Sequence, residues 1–172
     1  MITLVLGGAR SGKSNFAQQL ASDNQSPVLY IATATVSDRE MAERIAHHQQ
    51  NRPSEWRVHE SPLDLISALT EEGNKQQTIL VDCLTLWLNN QLFSFPEQNF
   101  EQLFHQLISA SRNCSAPIIF VSNEVGLGII PMGNISRKFV DEAGRLNQKI
   151  AQVANQVFFI AAGLPLVLKN EK

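Results

Sequence analysis

Strand-length apolar runs alternate along this chain with segments whose apolar residues recur every three or four positions. Ile2-Thr3-Leu4-Val5-Leu6 reads as a first strand, continuously apolar and so expected to be covered on both faces. Lys13 to Ala21 opens a helix, and Val28-Leu29-Tyr30-Ile31-Ala32, set off by Pro27, is a second strand. Ser37 or Asp38 caps a helix that runs to about Gln50 and is stopped by Pro53. A short extended piece surrounds Trp56-Arg57-Val58. Ser61-Pro62 then opens a helix to about Glu72, with Gly73 just past its end. Thr78-Ile79-Leu80-Val81-Asp82 is a buried strand ending in a carboxylate, and two helices broken near Pro96 fill Thr85 to Asn113. Pro117 to Val121 is a strand, Arg137 to Asn155 a long helix, and Val157 to Ala161 another strand. The run from Leu164 to Leu168 pairs at the sheet edge. Repeated β–α units of this kind predict an α/β fold, a mainly parallel sheet with helices on both faces.

At 172 residues, with no internal repeat or linker, the chain makes one domain over 1–172 with a substantial core. A hydrophobic content of 44% with 17% charged residues excludes a disordered chain. A net charge of −2 gives no electrostatic reason to expect nucleic acid. The apolar runs are too short for a membrane span, and the first is too short for a signal peptide. Cys83 and Cys114 are far apart, in no metal-ligand spacing and beside strand-like segments. They read as buried free thiols of a cytoplasmic protein.

The chemistry begins where the first strand ends. Gly7-Gly8-Ala9-Arg10-Ser11-Gly12-Lys13-Ser14 fits the pattern G-x-x-x-x-G-K-[ST], between a strand and a helix as that motif requires. This makes the fold P-loop NTPase-like. Glycines at 7, 8 and 12 let the backbone turn so that successive N–H groups face phosphate oxygens, and the following helix adds its positive dipole end. Lys13 reaches the β/γ-phosphates of a nucleoside triphosphate, and the Ser14 hydroxyl ligates Mg²⁺. Asp82, at a strand end, is the candidate second carboxylate for Mg²⁺; capping the next helix is the alternative. A switch GTPase would need N-K-x-D, and Ser122-Asn123-Glu124-Val125-Gly126 lacks the Lys and the Asp. The residues alone lead to a small transferase acting on a phosphate or a nucleotide.

On the helix wheel, Met41, Ile45 and His48 share the apolar face, whereas His47 falls between Glu40 and Glu43 on the charged face. Adjacent histidines on a helix do not face each other, which argues against a shared zinc. His48 reads as a core-edge histidine. His47 faces solvent or a cleft.

Three stretches together resemble the bifunctional adenosylcobinamide kinase/adenosylcobinamide-phosphate guanylyltransferase family of cobalamin biosynthesis. They are Gly7 to Ser14, then Tyr30-Ile31-Ala32-Thr33-Ala34, then Glu40-Met41 through Arg44-Ile45, His47-His48, Arg52-Pro53 and Trp56-Arg57. The run from Asn123 to Pro131 and the segment Gly144-Arg145-Leu146-Asn147 are similar as well, so the likeness covers almost the whole chain. It implies two reactions at one site. The aminopropanol hydroxyl of cobinamide takes the γ-phosphoryl group of ATP or GTP. Cobinamide phosphate then receives GMP from GTP through a covalent guanylyl-histidine, here His47. Neutral imidazole is a competent nucleophile near pH 7. The resemblance further implies guanine-nucleotide contacts from Thr33, Ala34 and Thr35, from His48, Gln49, Gln50 and Asn51, and from Glu60. It also implies a homo-oligomer, a trimer with the corrinoid near subunit contacts. Arg52 pairs with phosphate or with Glu55, and Glu124 positions substrate or shapes a turn. One departure stands out: well-known members carry glutamate at the strand end where this chain has Asp82. Two other readings remain. One is a descendant keeping a single half reaction, which intact Lys13, Ser14 and His47 do not favour. The other is a nucleotide-dependent regulatory module, for which a chain this short lacks obvious switch elements.

Overall fold

In a computed structural model, which describes residues 1–35, 46 and 52–171, the strands are β1 (Ile2–Gly7), β2 (Val28–Ala32), β3 (Arg57–Glu60), β4 (Thr78–Asp82), β5 (Ile118–Asn123), β6 (Gln156–Ala161) and β7 (Leu164–Asn170). The described helices are α1 (Lys13–Asp23), α2 (Leu65–Glu72), α3 (Leu84–Ser94), α4 (Phe100–Asn113) and α5 (Asn134–Val153). The seven described strands form one sheet in the order β3-β2-β4-β5-β1-β6-β7. Every pairing is parallel except that of β7 with β6.

The order of the strands explains where the helices go. From β1 to β2 the chain moves across the sheet one way, and the steps β3 to β4, β4 to β5 and β5 to β6 all move the other way. Right-handed crossovers therefore place α1 on one face and α2 to α5 on the opposite one. The core divides accordingly. Leu4, Ile31, Val81 and Phe120 pack with Leu69, Trp87, Phe104 and Leu146 of the four helices. Val5, Tyr30, Leu80 and Val121 pack with Ala17 and Ala21 of α1. Trp87, Phe104 and Phe120 are among the largest fully buried side chains, and burying each contributes about 1.5–3 kcal/mol.

Most expected elements are present, and the shifted boundaries have visible reasons. The helix expected from Ser61-Pro62 begins at Leu65, because the Ser61 amide still donates to the Ala32 carbonyl at 2.8 Å and prolongs the β2–β3 ladder. The long helix ends at Val153 rather than Asn155. Asn155 is spent on β1: its amide donates to the Ile2 carbonyl, and its side-chain oxygen accepts from the Ile2 amide, both at 2.8 Å. Leu164 onward pairs at the edge, reached through a turn with Ala162 (φ 51°) and Gly163 (φ 79°) both left-handed, the twist that tight hairpins need. Of the helix expected up to Gln50, Ala46 alone lies within the described residues, and it is helical and exposed. No helix among the described residues is long and apolar enough to cross a membrane.

Candidate nucleotide-binding site

Strand alternation decides which side chains meet at the carboxyl ends of the sheet. Val5, Tyr30, Leu80 and Val121 face α1. Two residues further on, the same face carries Gly7, Ala32, Asp82 and Asn123. Register holds these ends level: Gly7 pairs with Asn123, Val121 with Asp82, and Asp82 with Ala32. Ligands of open parallel sheets bind beyond such carboxyl ends, where the crossovers change direction. Here that point is β1, with α1 leaving to one side and β6 arriving on the other.

The glycine loop is held on three sides. Gly7 is buried, and a Cβ there would lie 2.5 Å from the Ser11 hydroxyl and 2.6 Å from the Ile160 carbonyl, so no side chain fits. Arg10 (φ 57°) and Gly12 (φ 94°) are both left-handed, which curls the loop into the N-terminus of α1. The Gly163 amide donates to the Ser11 carbonyl at 2.8 Å, and the Glu124 amide donates to the Gly7 carbonyl at 3.0 Å. Lys13 is 9% exposed, and its ammonium donates back to the Gly8 carbonyl at 3.2 Å. The first-turn amides of α1 have no carbonyl one turn earlier to bond, which suits them to anionic oxygens. The Ser11 hydroxyl is buried with no partner among the described residues. Ser14 sits half-buried in that first turn.

Asp82 is the last residue of β4, and it does not cap α3, whose cap position is Cys83 without a side-chain bond. Its Oδ2 accepts from the Tyr30 hydroxyl at 3.1 Å, and the Arg52 guanidinium lies 3.5 Å from the Tyr30 ring centroid. Burial, then the Asp82 charge, hold the Tyr30 hydroxyl firmly in its protonated, donating form. Burial first and the Asp82 charge second push the Cys83 thiol up to about 11, while the Lys13 ammonium pulls it down. Lys13 and Asp82 thus both act on one buried side chain. Thr33 braces the same corner. Its hydroxyl donates to the Cys83 carbonyl at 2.7 Å and accepts from the Cys83 amide at 2.8 Å, and its own amide donates to the Asp82 carbonyl at 3.3 Å.

Behind the end of β5 lies a buried polar network that sequence reasoning did not find. The Ser122 hydroxyl donates to the Asn147 side chain at 2.7 Å and lies 3.2 Å from the Thr85 hydroxyl. Thr85 in turn accepts from the Asn123 amide at 2.6 Å, so α3 and α5 are both tied to β5. The Asn123 side-chain oxygen is buried with no partner among the described residues. Glu124 accepts from the Gly126 amide at 2.6 Å, which makes it a turn-shaping residue.

The remaining expected contacts fall into two groups. Ala34 is half-buried and Thr35 exposed beyond β2, and Glu60 ends β3 exposed, in register with Ala32. His47, His48, Gln49, Gln50 and Asn51 lie outside the described residues. Of the two partners foreseen for Arg52, neither is the Tyr30 ring it covers. Tyr30 and Gly163 were passed over because an aromatic in a strand and a glycine in a turn look ordinary without the tertiary contact.

The donor set fits Mg²⁺. Among the described residues no group of three or more His, Cys, Asp or Glu could cage a metal. Mg²⁺ is usually held by one or two protein oxygens plus phosphates and water. One oxygen of Asp82 is fixed by Tyr30, and Oδ1 accepts from no described donor.

A family model described as cobinamide kinase / cobinamide phosphate guanyltransferase matches residues 3–168. The chain is 47% identical over 171 residues to the bifunctional adenosylcobalamin biosynthesis protein CobP of Pseudomonas aeruginosa, covering 99% of each. It is 40% identical over 182 residues to the bifunctional adenosylcobalamin biosynthesis protein CobU of Escherichia coli, covering 98% of this chain and 100% of the relative. Among solved structures, the P4 protein from bacteriophage phi6 in complex with ADP gives a TM-score of 0.52 at 14% identity. That match covers 95% of this chain and 52% of the other, so the chain spans about half the length of the phage protein. The RadB recombinase gives 0.51 at 12% identity, covering 92% of this chain and 73% of the other. These two likenesses are of fold alone. The chain belongs to the cobinamide kinase / cobinamide phosphate guanyltransferase family.

Proposed function

We propose that, as a member of this family, the chain carries out two transfers over one glycine loop. The first moves the γ-phosphoryl group of ATP or GTP to the aminopropanol hydroxyl of cobinamide. In the second, His47 attacks the α-phosphorus of GTP and pyrophosphate leaves. A phosphate oxygen of cobinamide phosphate then takes the GMP, and the P–N bond breaks. A phosphoramidate of this kind splits one difficult transfer into two easier ones.

The observation that carries the reading is the shared face. The glycine loop, Asp82 and Tyr30 stand on the α1 side of the sheet at its carboxyl end, with Lys13 turned across the loop. The stretch that bears His47 leaves from Thr33, whose amide bonds the Asp82 carbonyl, and returns at Arg52, which covers Tyr30. The chain thus approaches that stretch past the Asp82 backbone and leaves it over the ring whose hydroxyl bonds Asp82. Lys13 and the loop amides stabilise charge on the transferred phosphoryl group and on departing pyrophosphate. Ser14 and Asp82 would hold Mg²⁺, which when bound neutralises phosphate charge. Ala34, Thr35, Glu60 and residues 48–51 are proposed to contact the guanine nucleotide, and Thr33 contributes by shaping the strand end.

Self-association is supported by the apolar side chains that the described surface leaves in water. Ile129 is 98% and Met132 95% exposed in the loop after β5, and Leu164, Leu166 and Leu168 are exposed along β7. Two free cysteines go with a reducing, cytoplasmic setting.

The test is incubation with α-labelled GTP and Mg²⁺, followed by acid or base. Label that is acid-labile, base-stable and lost in His47→Ala is expected, while phosphoryl transfer to cobinamide persists in that variant. Folded wild-type enzyme that takes up no label would overturn the covalent step.

A further inference from the structure

A strand tyrosine in a hydrophobic core ordinarily needs only a place for its hydroxyl, and water at the sheet end would serve. Here Tyr30 is 3% exposed and spends its hydroxyl on Oδ2 of Asp82 at 3.1 Å. Its ring is covered by the Arg52 guanidinium at 3.5 Å, whose Nε is buried with no partner among the described residues. A cation over an aromatic face draws electron density from the ring and makes its hydroxyl a better donor. The three groups form one line, guanidinium to ring to carboxylate, ending on the oxygen pair of the strand-end carboxylate.

We infer that Tyr30 is the positioning residue for Asp82: by holding Oδ2 it fixes the carboxylate rotamer and presents Oδ1 to the magnesium ion that accompanies the nucleotide, and Arg52 holds Tyr30 in place. This rests on the reading of Asp82 as a magnesium residue. Asp82 has a short side chain, so its reach is set by its rotamer, and a fixed donor on one oxygen is what decides that rotamer. Partners of this kind, one bond removed from the metal, typically matter 10–100-fold in metal affinity when lost.

The chain contains a single tyrosine, so labelling tyrosine at Cζ, the carbon that bears the hydroxyl, gives one NMR resonance, that of Tyr30. Mg²⁺ is titrated into the whole enzyme saturated with a non-hydrolysable ATP analogue, with calorimetry alongside. The Tyr30 resonance is expected to shift with Mg²⁺ and to stay still in Asp82→Asn. Tyr30→Phe keeps the ring under Arg52 and is expected to weaken Mg²⁺ binding about tenfold, with metal-free nucleotide affinity unchanged. Raising Mg²⁺ should restore its activity. If Asp82→Asn weakens Mg²⁺ but Tyr30→Phe binds it as wild type does, the positioning role is overturned and the Asp82 reading stands. If Asp82→Asn also binds Mg²⁺ normally, the reading beneath it fails too. A Tyr30→Phe protein that loses nucleotide and Mg²⁺ affinity alike, with no rescue by Mg²⁺, shows a structural tyrosine and overturns the inference.

Discussion

The two faces of the sheet are built from the same strands and do opposite work. On the face covered by α2 to α5, alternating residues from Leu4 to Phe120 meet Trp87, Phe104 and Leu146, and the contacts are almost entirely apolar. On the α1 face the apolar layer is thinner. Ala17 and Ala21 are the buried α1 residues in it, and they let the helix lie close to the strands. At the carboxyl ends that face changes character within two residues, from Leu80 to Asp82 and from Val121 to Asn123. One face is a core that ends in a site's rear wall, and the other is a site with a small core beneath it. Stability and chemistry should therefore be separable by mutation, and the separation can be tested from both sides.

The largest effect belongs to the helix-covered face. Trp87 is fully buried, and its indole N–H donates to the Leu63 carbonyl at 3.0 Å. Trp87→Ala removes that bond and leaves a cavity, and is expected to cost about 3–5 kcal/mol of stability. Denaturant titration measures the loss. At temperatures where the variant remains folded, its affinity for nucleotide should match the wild type. A variant of normal stability with lost nucleotide binding would erase the distinction between the faces.

The sequence foreshadowed the two faces unequally. Period and run length were enough for the strands, because a strand buried on both sides must be apolar throughout, and Ile2 to Leu6 or Thr78 to Val81 could hardly be anything else. The glycine loop was legible for a different reason: the close approach of Ser11 and the Ile160 carbonyl leaves no room for a side chain at Gly7, so the requirement is written in residue identity. Asp82 was visible as a carboxylate closing an apolar run. The tie from Tyr30 to Asp82 was not, because the two are joined only when β2 and β4 become neighbours, and nothing local marks that pairing. Gly163 bracing Ser11, and Asn147 reaching Ser122, are invisible for the same reason. The boundaries missed at Ser61 and Asn155 are also tertiary, since both residues bond to strands rather than to the helices beside them in sequence.

The next effect is comparable in free energy but falls on activity, and is nearly absent in stability. Lys13→Ala deletes the ammonium that crosses the glycine loop. Both transfers should fall by about 10²–10³-fold, because both need triphosphate charge stabilised there. Among the described residues the side chain bonds only the Gly8 carbonyl, at 3.2 Å, so the thermal midpoint should scarcely move. Steady-state assays of each transfer beside a melting curve check the claim. A drop in only one activity would mean the two reactions do not share the loop.

The smallest effect sharpens the comparison by testing a charged cluster on the apolar side. Glu72 at the end of α2 has a side chain only 10% exposed and accepts from Lys75 at 2.7 Å, from the Gln77 side-chain Nε2 at 3.1 Å and from Arg57 of β3. The Lys75 bond first, working against burial and joined by Gln77 and Arg57, lowers its pKa from 4.5 to about 2. A carboxyl whose folded pKa lies below its unfolded one stabilises the fold above the unfolded value, and loses that contribution as pH falls through the folded one. The clamp should therefore be intact above about pH 4.5 and gone near pH 2. Melting curves across that window should fall in the wild type and run flatter in Glu72→Gln, which is already weakened at neutral pH. Because Arg57 and Lys75 are each about half exposed, the difference should be the least of the three and should shrink further in salt. If the two proteins lost stability in parallel from pH 4.5 to 2, the clamp would contribute nothing and the helix-covered face would rest on apolar packing alone.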